Sequence, residues 1–517
     1  MLYLSSIFHM HQPYYVDLLT RRAELPWVRL HGAKDYLDMV QILNNYPAIR
    51  QVFNIVPSLF EQIEGYASGA QDKYLELSLK PAPELNEEEK GFLLQNFFSI
   101  SKERVISLFP RYLELFYKRQ ARRGFNNQDF LDLQVLFNLA WIDPCFRKSM
   151  PELSRLCGKA RFFGEEDKRV VIDTQLEILS VIIPAYKKAA SSGQVELSVT
   201  PYYHPILPLL CNTGISREAN PKAQLPKIPF SHPQDAQAQV NQSAEFFRSR
   251  FGFPALGMWP SEQSVSEHIL PFIIEAGINW IVADEAILFK SLKSKRRDTR
   301  LLYQPHLLKR KEGELAIIFR DRNLSDLIGF TYHKMKTEDA VKDFLGHLEN
   351  IAAAFKNEDI LVAIAMDGEN AWEYYPNDGH DFLNLLYQRL SEAKNIITTT
   401  VSGYLKAHPA KREIKHLAAG SWIFGDFGKW MGNPKKLKAW EYLAQARKEL
   451  DDYVSHIPNP ETLRLAWKQM YILEGSDWFW WAGEDPDGSF DRLFRRHLRN
   501  FYKLIEKAPP DYLNAPL

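Results

Sequence analysis

The stretch Ile360-Leu361-Val362-Ala363-Ile364-Ala365-Met366-Asp367-Gly368-Glu369-Asn370-Ala371-Trp372-Glu373-Tyr374-Tyr375 drives seven apolar residues, without a break, into three acids and three aromatic rings. A continuous apolar run of this length lacks the alternation of a half-exposed strand. It is the pattern of a strand buried on both faces, as in a parallel sheet covered by helices. Polar residues crowded at the end of such a strand mark the rim where (β/α) barrels assemble active sites.

Working outward, the same pattern recurs. Leu2–Phe8 leads into HMHQP, Gln51–Val56 into Pro57, and Val195–Val199 into TPYYH. Leu256–Trp259 leads into PSE, Trp280–Ala283 into DE, and Leu315–Phe319 into RDR. Amphipathic segments of helical length, such as Thr174–Ala190, lie between them. About seven strands alternating with helices predict an α/β fold built on an incomplete (β/α)7 TIM-like barrel. Residues 1–395 are expected to form this catalytic barrel, with a helical insertion at about 68–169 carried by Glu87–Phe98, Ser101–Gln120 and Asp129–Trp141. The Pro-rich Cys211–Pro233 reads as a long loop over the rim. Residues 396–517 lose the strand pattern and read as a C-terminal helical domain completing the active-site cleft, with helices at Lys435–Val454, Pro460–Leu473 and Phe490–Ala508.

Composition narrows the classes. The chain has 517 residues with 64 basic and 64 acidic side chains, so its formal charge is zero. That balance removes the long-range attraction a nucleic-acid or anionic-membrane binder uses, and neither partner is expected. The basic run Lys290, Lys293, Lys295, Arg296 and Arg297 reads as a solvated loop. Three cysteines without CxxC spacing imply neither a disulfide framework nor a zinc knuckle. The N-terminal run has no basic lead and is broken by His9 and His11, so it reads as a strand, and a cytoplasmic location is expected. Aromatic residues reach 13%. A large core explains that figure, and so do rings on which sugar faces stack.

Two carboxylate positions stand out. Glu262 follows Trp259-Pro260-Ser261 at a strand end, where an acid opening the next helix would also be favoured. Asp367 and Glu369 fall on one side if their strand continues. An Asx turn would explain Asp367 alone, but not the acids together with Trp372, Tyr374 and Tyr375. Paired carboxylates from two strands are the minimum for glycoside hydrolysis. The pattern does not say which acid does what, and it leaves Glu369, Asp284 and Glu285 open. His9 and His11 share the i, i+2 spacing that binds zinc in barrel metallohydrolases, with His204 available as a third ligand. The other strand ends offer carboxylates and Trp rather than further histidines, and no HExxH occurs.

Taken together, five segments resemble, in order, the five short regions of glycoside hydrolase family 57, an α-glucan-active family with a seven-stranded barrel. They are His11-Gln12-Pro13; Gly193–Glu196 running on to Tyr202-Tyr203-His204-Pro205; Trp259-Pro260-Ser261-Glu262; Asp367-Gly368-Glu369-Asn370; and Gly475–Trp481. The last two look closest to amylopullulanase-type members, and the third lacks the Pro-Glu-Cys run of the branching enzymes. The resemblance implies that Glu262 is the nucleophile and Asp367 the general acid/base of a retaining double displacement. It also implies that His11, Glu196, His204 and Asp477 contact or support the sugar, with Trp259 and Trp478 as candidate stacking platforms. The expected substrate is an α-glucan oligosaccharide or polysaccharide, cleaved or transferred at α-1,4 linkages, with α-1,6 linkages left open, and with no cofactor and no metal. The carboxyl groups of such a pair are expected about 5–7 Å apart. Two rival readings are a metal-dependent barrel hydrolase or deacetylase using His9, His11 and His204, and a non-catalytic glucan-binding relative. Linkage preference, the balance of hydrolysis and transfer, and oligomeric state are not written in the sequence.

Overall fold

The computed structural model describes residues 1–517 except Asn370, Ile457 and Pro458. All seven apolar runs form strands: β1 (Leu2–Met10), β2 (Gln51–Ile55), β3 (Val195–Val199), β4 (Gly257–Met258), β5 (Trp280–Asp284), β6 (Gly313–Arg320) and β7 (Ile360–Asp367). They pair in parallel in the order β7-β1-β2-β3-β4-β5-β6. A single register pair, Arg320 with Ala363, joins β6 to β7 and closes the ring. A seven-stranded (β/α) barrel is therefore the observed fold, as the run pattern predicts.

Side-chain alternation divides each strand between two cores. Ile7, Val52, Val282, Leu361, Ala363 and Ala365 meet Trp259 and Trp280 inside the barrel. Their neighbours Phe8, Phe53, Val362 and Ile364 face the surrounding helices. The parity extends to the rim: His9 continues the interior row of Ile7, Asn54 that of Val52, and Asp367 that of Ala363 and Ala365. One row on β3, Glu196, Ser198 and Thr200, runs from the N-terminal end of the barrel to its mouth. Residues bound for the mouth are thus fixed by parity and by position along the strand.

Between β2 and β3 the chain is largely helical. Helices Glu87–Asn96 and Asn127–Ala140 each start in a capping box, Asn86 with Glu89 and Asn126 with Asp129. The long helix α1 (Glu165–Ser191) then returns the chain to β3. Cys211–Pro233 is less of a loop than its Pro content suggests, because it carries the helical turns Thr213–Ile215 and Ser216–Ala219. The C-terminal region holds α2 (Pro434–Val454), α3 (Pro460–Leu473), α4 (Ser476–Trp481) and α5 (Ser489–Leu504). Among the described residues no helix is long and apolar enough to cross a membrane. The basic run is only partly solvated, since Lys290 donates to the Gly425 carbonyl and Arg297 pairs with Glu285 and Asp321.

β4 is the thinnest part of the wall, and Gly257 is the reason it closes. A Cβ built there would lie 2.0 Å from Cε2 and Cζ2 of the fully buried Trp280 ring. Gly257→Ala should therefore lower stability by about 1–3 kcal/mol through overpacking. The readout is the denaturant midpoint, and an unchanged midpoint would show that the interior has slack.

Candidate active site

The mouth of the barrel is built from strand ends and two later segments. Glu262 lies just after β4 with φ 57°, followed by Gln263 at φ 49°. Two successive non-glycine residues in the left-handed region are costly, and such strain gathers at working sites. It is held by the segment ahead of the helices: the Trp422 amide donates to the Glu262 carbonyl at 3.1 Å. Trp422 Nε1 donates to Glu262 Oε2 at 2.8 Å, and Ser476 Oγ reaches Oε1 at 3.4 Å. Burial pushes the Glu262 carboxyl up to about 8, and the nearby charges of Asp367 and Asp477 add to the effect. The bonds from Trp422 and Ser476 act the other way.

Asp367 ends β7, in register with His9 of β1, and the Gly368 amide donates to the His9 carbonyl at 2.7 Å. It lines a cleft of about 500 Å³ with Arg320, Phe330, Tyr374, Trp422, Phe424 and Trp480. Phe424 is 87% exposed and Phe330 69% exposed. Phe424 also adopts φ 54°. A large apolar ring held in water on a strained backbone is unfavourable unless something covers it.

Glu369 does not stay on the strand. The chain turns at Gly368, and the buried Glu369 Oε1 accepts from Tyr36 Oη at 2.9 Å, His11 N at 3.2 Å and Gln12 Nε2 at 3.3 Å. Burial, with Asp367 nearby, raises its carboxyl well above the usual range. It braces the first strand end. Asp284 is fully buried between Arg320, at 2.8 Å, and Arg322, so it is likewise committed. Glu285 pairs with Arg297. Asn370 lies outside the described residues.

The histidines converge behind the acids. His9 Nδ1 meets Asn54 Oδ1 at 2.6 Å, and its Nε2 meets His204 Nε2 at 3.0 Å. His204 Nδ1 lies 2.8 Å from Ser476 Oγ, and His11 Nε2 lies 3.1 Å from both Asp477 oxygens. The His11 and His204 rings stack at 3.8 Å. Burial, then the charge interaction with His11, lowers His9 to about 3 and His204 well below its ordinary value, so both are neutral near pH 7. The His11, His204 and Asp477 donor atoms lie within 4.8 Å of one another, as a metal site would require. Both nitrogens of His204 are already hydrogen-bonded, however, so it has no free lone pair to ligate with.

Three sequence expectations need correction. Trp259 is 0% exposed, its ring stacked on His9 at 4.7 Å and 9°, so neither face is open to a sugar. Trp478 is buried too, its Nε1 donating to the Ile472 carbonyl at 2.7 Å and its ring against Phe494. Glu196 points into the barrel but at the wrong end, two steps below Thr200. There it accepts from Trp280 Nε1 at 2.9 Å and from Ser402 N at 2.9 Å. Glu262, Asp367, His11, His204 and Asp477 do come together. Sequence reasoning missed Trp422, Arg320, Phe330 and Phe424, and singled out Trp480 only as part of the Gly475–Trp481 segment. GSWIFGDFG (Gly420–Gly428) was the legible signal for two of them, since three glycines spaced among aromatic rings suggest a shaped loop.

The family model for glycosyl hydrolase family 57 matches residues 5–416. An α-amylase of Dictyoglomus thermophilum is 21% identical over 277 residues, which is 52% of this chain and 33% of that protein. The chain thus spans about a third of the length of this curated relative. Two solved structures share the fold. The branching enzyme of Pyrococcus horikoshii has a TM-score of 0.64 and 17% identity over 97% of this chain and 89% of its own. The α-amylase AmyC of Thermotoga maritima has a TM-score of 0.61 and 13% identity over 98% and 93%.

Glu262 has a consequence for stability whatever the chemistry. Its carboxyl is raised from 4.5 to about 8, so the native state holds a proton that the unfolded chain releases. The native state is therefore penalised progressively as pH rises from about 4.5 to 8. Glu262→Gln keeps the shape and removes that penalty. The variant should melt close to the parent at pH 5 and higher than the parent at pH 9, by thermal denaturation at both pH values. Equal melting points at pH 9 would refute the assignment.

Proposed function

Because the chain belongs to glycosyl hydrolase family 57, we propose that it is an enzyme that cleaves or transfers α-glucan chains through Glu262 and Asp367. The observation that carries this reading is the pair itself: Asp367 at the end of β7 lines the aromatic cleft, and Glu262, just after β4, is hydrogen-bonded to Trp422 of the same lining. In the proposed retaining route, Glu262 attacks the anomeric carbon while Asp367 gives its proton to the departing glycosidic oxygen. Asp367 then takes a proton from water, giving hydrolysis, or from a sugar hydroxyl, giving transfer. The attack requires Glu262 ionised. Because the two acids interact, their proton losses belong to the pair rather than to either residue. Trp422 supports the ionised form by its indole N–H. Phe330, Phe424 and Trp480 are the rings offered to the sugar faces, in place of Trp259 and Trp478. Arg320 and Arg322, held by Asp284, balance the acidic mouth. A cytoplasmic location is consistent with the three free cysteines.

Incubation with maltoheptaose and with pullulan, followed by product sizing, tests the reading. Products longer than the substrate indicate transfer, shorter ones alone indicate hydrolysis, and no product from either glucan counts against the proposal. The anomer formed first, followed by proton NMR, should keep the α configuration; a β product would exclude the retaining route. Asp367→Asn should lower kcat by about 10²–10⁴-fold, the range for a general acid. Activity should survive exhaustive chelation; its loss would reinstate the histidine-bound metal.

Phe424 gives a separate expectation. Phe424→Ala should raise KM for long glucans about two- to tenfold, the loss of one stacking contact of about 0.5–1.5 kcal/mol, without lowering the melting point. An unchanged KM would remove Phe424 from the substrate path.

A further inference from the structure

The mouth of the barrel holds a line of buried polar groups that the reaction itself does not use: Ser198, Asn54, Thr200, His9, His204 and Ser476. Their hydrogens can be counted. Thr200 has one hydroxyl hydrogen, and the Trp259 carbonyl, 2.9 Å away, can only accept it. The nearer amide atom of Asn54, 2.7 Å away, stands as oxygen and competes for the same hydrogen. One of the two acceptors would be left without it. On the far side, Ser198 Oγ lies 3.0 Å from the amide atom placed as nitrogen and, among the described residues, makes no other side-chain hydrogen bond. Its buried hydrogen would have no acceptor.

The oxygen and nitrogen of an amide are told apart by their partners. Turning the Asn54 amide by 180° resolves both faults. Its NH₂ then gives one hydrogen to Thr200 Oγ1 and one to His9 Nδ1, and its oxygen accepts from Ser198. His9, neutral, must now carry its hydrogen on Nε2 and donate to His204 Nε2 across 3.0 Å. His204, also neutral, carries its hydrogen on Nδ1 and donates to Ser476 Oγ across 2.8 Å. That leaves the Ser476 hydrogen for Glu262 Oε1, the longest link at 3.4 Å. In the opposite sense Ser476 must spend its hydrogen on His204, and Glu262 would face a lone pair.

We propose that Ser198, Asn54, His9, His204 and Ser476 form a one-way hydrogen-bond chain whose direction makes Ser476 a donor to Glu262. The four residues behind Ser476 are positioning residues; their effect on turnover rests on the proposed role of Glu262 as nucleophile. The chain favours the carboxylate over the acid, against the burial and the charges of Asp367 and Asp477 that favour the acid. Glu262 is faced by Asp367 from β7, by Asp477 and Ser476 at the start of α4, and by Trp422 from the preceding segment, with His11 paired to Asp477 beyond them. The histidines can relay direction because neither carries charge near neutral pH.

The test is read without substrate, so it stands apart from the assay of activity. Nitrogen-15 spectra of the imidazoles, assigned with His9→Gln and His204→Gln, should place the hydrogen on Nε2 of His9 and on Nδ1 of His204. The reverse pair of tautomers would overturn the proposal. Glu262 titration, followed by carbon-13 carboxylate NMR, should move up by about one pH unit in Ser476→Ala, the size of one hydrogen bond to a charged group. Ser476→Thr should restore it. Equal titration in the Ala and Thr variants would also overturn the proposal. Ser198→Ala touches neither Glu262 nor a histidine, yet it should shift Glu262 the same way. The Ser198→Ala/Ser476→Ala double variant should shift no further than Ser476→Ala alone. Additive shifts would mean that Ser198 acts by some other path.

Discussion

The pairing of β1 with β7 is the contact on which the rest depends. It runs without interruption from Leu2 beside Ile360 to His9 beside Asp367. This one ladder joins the start of the chain to a strand some 360 residues later and sets the circumference of the barrel. It also fixes the register in which a histidine and a carboxylate arrive at the mouth together. A slip of one residue would turn Asp367 out toward the helices and put an apolar residue in its place in the interior row, because side-chain direction reverses at every step. Both faces of Ile360–Met366 are buried, so a slip would also disrupt close packing on either side.

The fold was legible for the same reason. Strands buried on both faces need uninterrupted apolar runs, and such runs are conspicuous in a chain whose helices are amphipathic. The pair Glu262 and Asp367 was visible as acids at two of those run ends, although assigning their roles needed the family resemblance. What could not be read depends on direction and depth. Glu196 lies on the correct face of β3 but near its beginning, and the sequence does not say which end of a short strand is open. Trp259 and Trp478 have the composition of sugar platforms and the position of core residues. Trp422 and Ser476 reach Glu262 across 160 and 214 residues, and no local pattern encodes that reach. Glu369 illustrates another limit. Alternation put it beside Asp367 only for as long as the strand continued, and the turn at Gly368 ended that.

The mouth concentrates groups that would be happier in water. Glu262 and Glu369 are both pressed toward their protonated forms, and Glu262 sits on a strained backbone. His9 and His204 are held neutral. The two carboxyls are opposed by specific donors: Trp422 on one oxygen of Glu262, and Tyr36 and the first strand end on Glu369. Preorganisation of this kind keeps polar groups in place before any ligand arrives, so they need not reorganise later. It also places the mouth among the least stable parts of a well-packed barrel, since a carboxylate forced into a half-dry site is a persistent load on the native state.

The long reach of Trp422 and Ser476 has a temporal side. During synthesis the seven strands can emerge and pair while the segment carrying Trp422 and the turn carrying Ser476 are still inside the ribosome. Until those arrive, Glu262 has neither of its side-chain donors, and the backbone link from Ser476 N to His204 O at 2.9 Å cannot form. The nascent barrel would therefore possess both acids and lack the setting that makes them useful. Vectorial synthesis thus delays the completion of this hydrogen-bond network until the helical region docks.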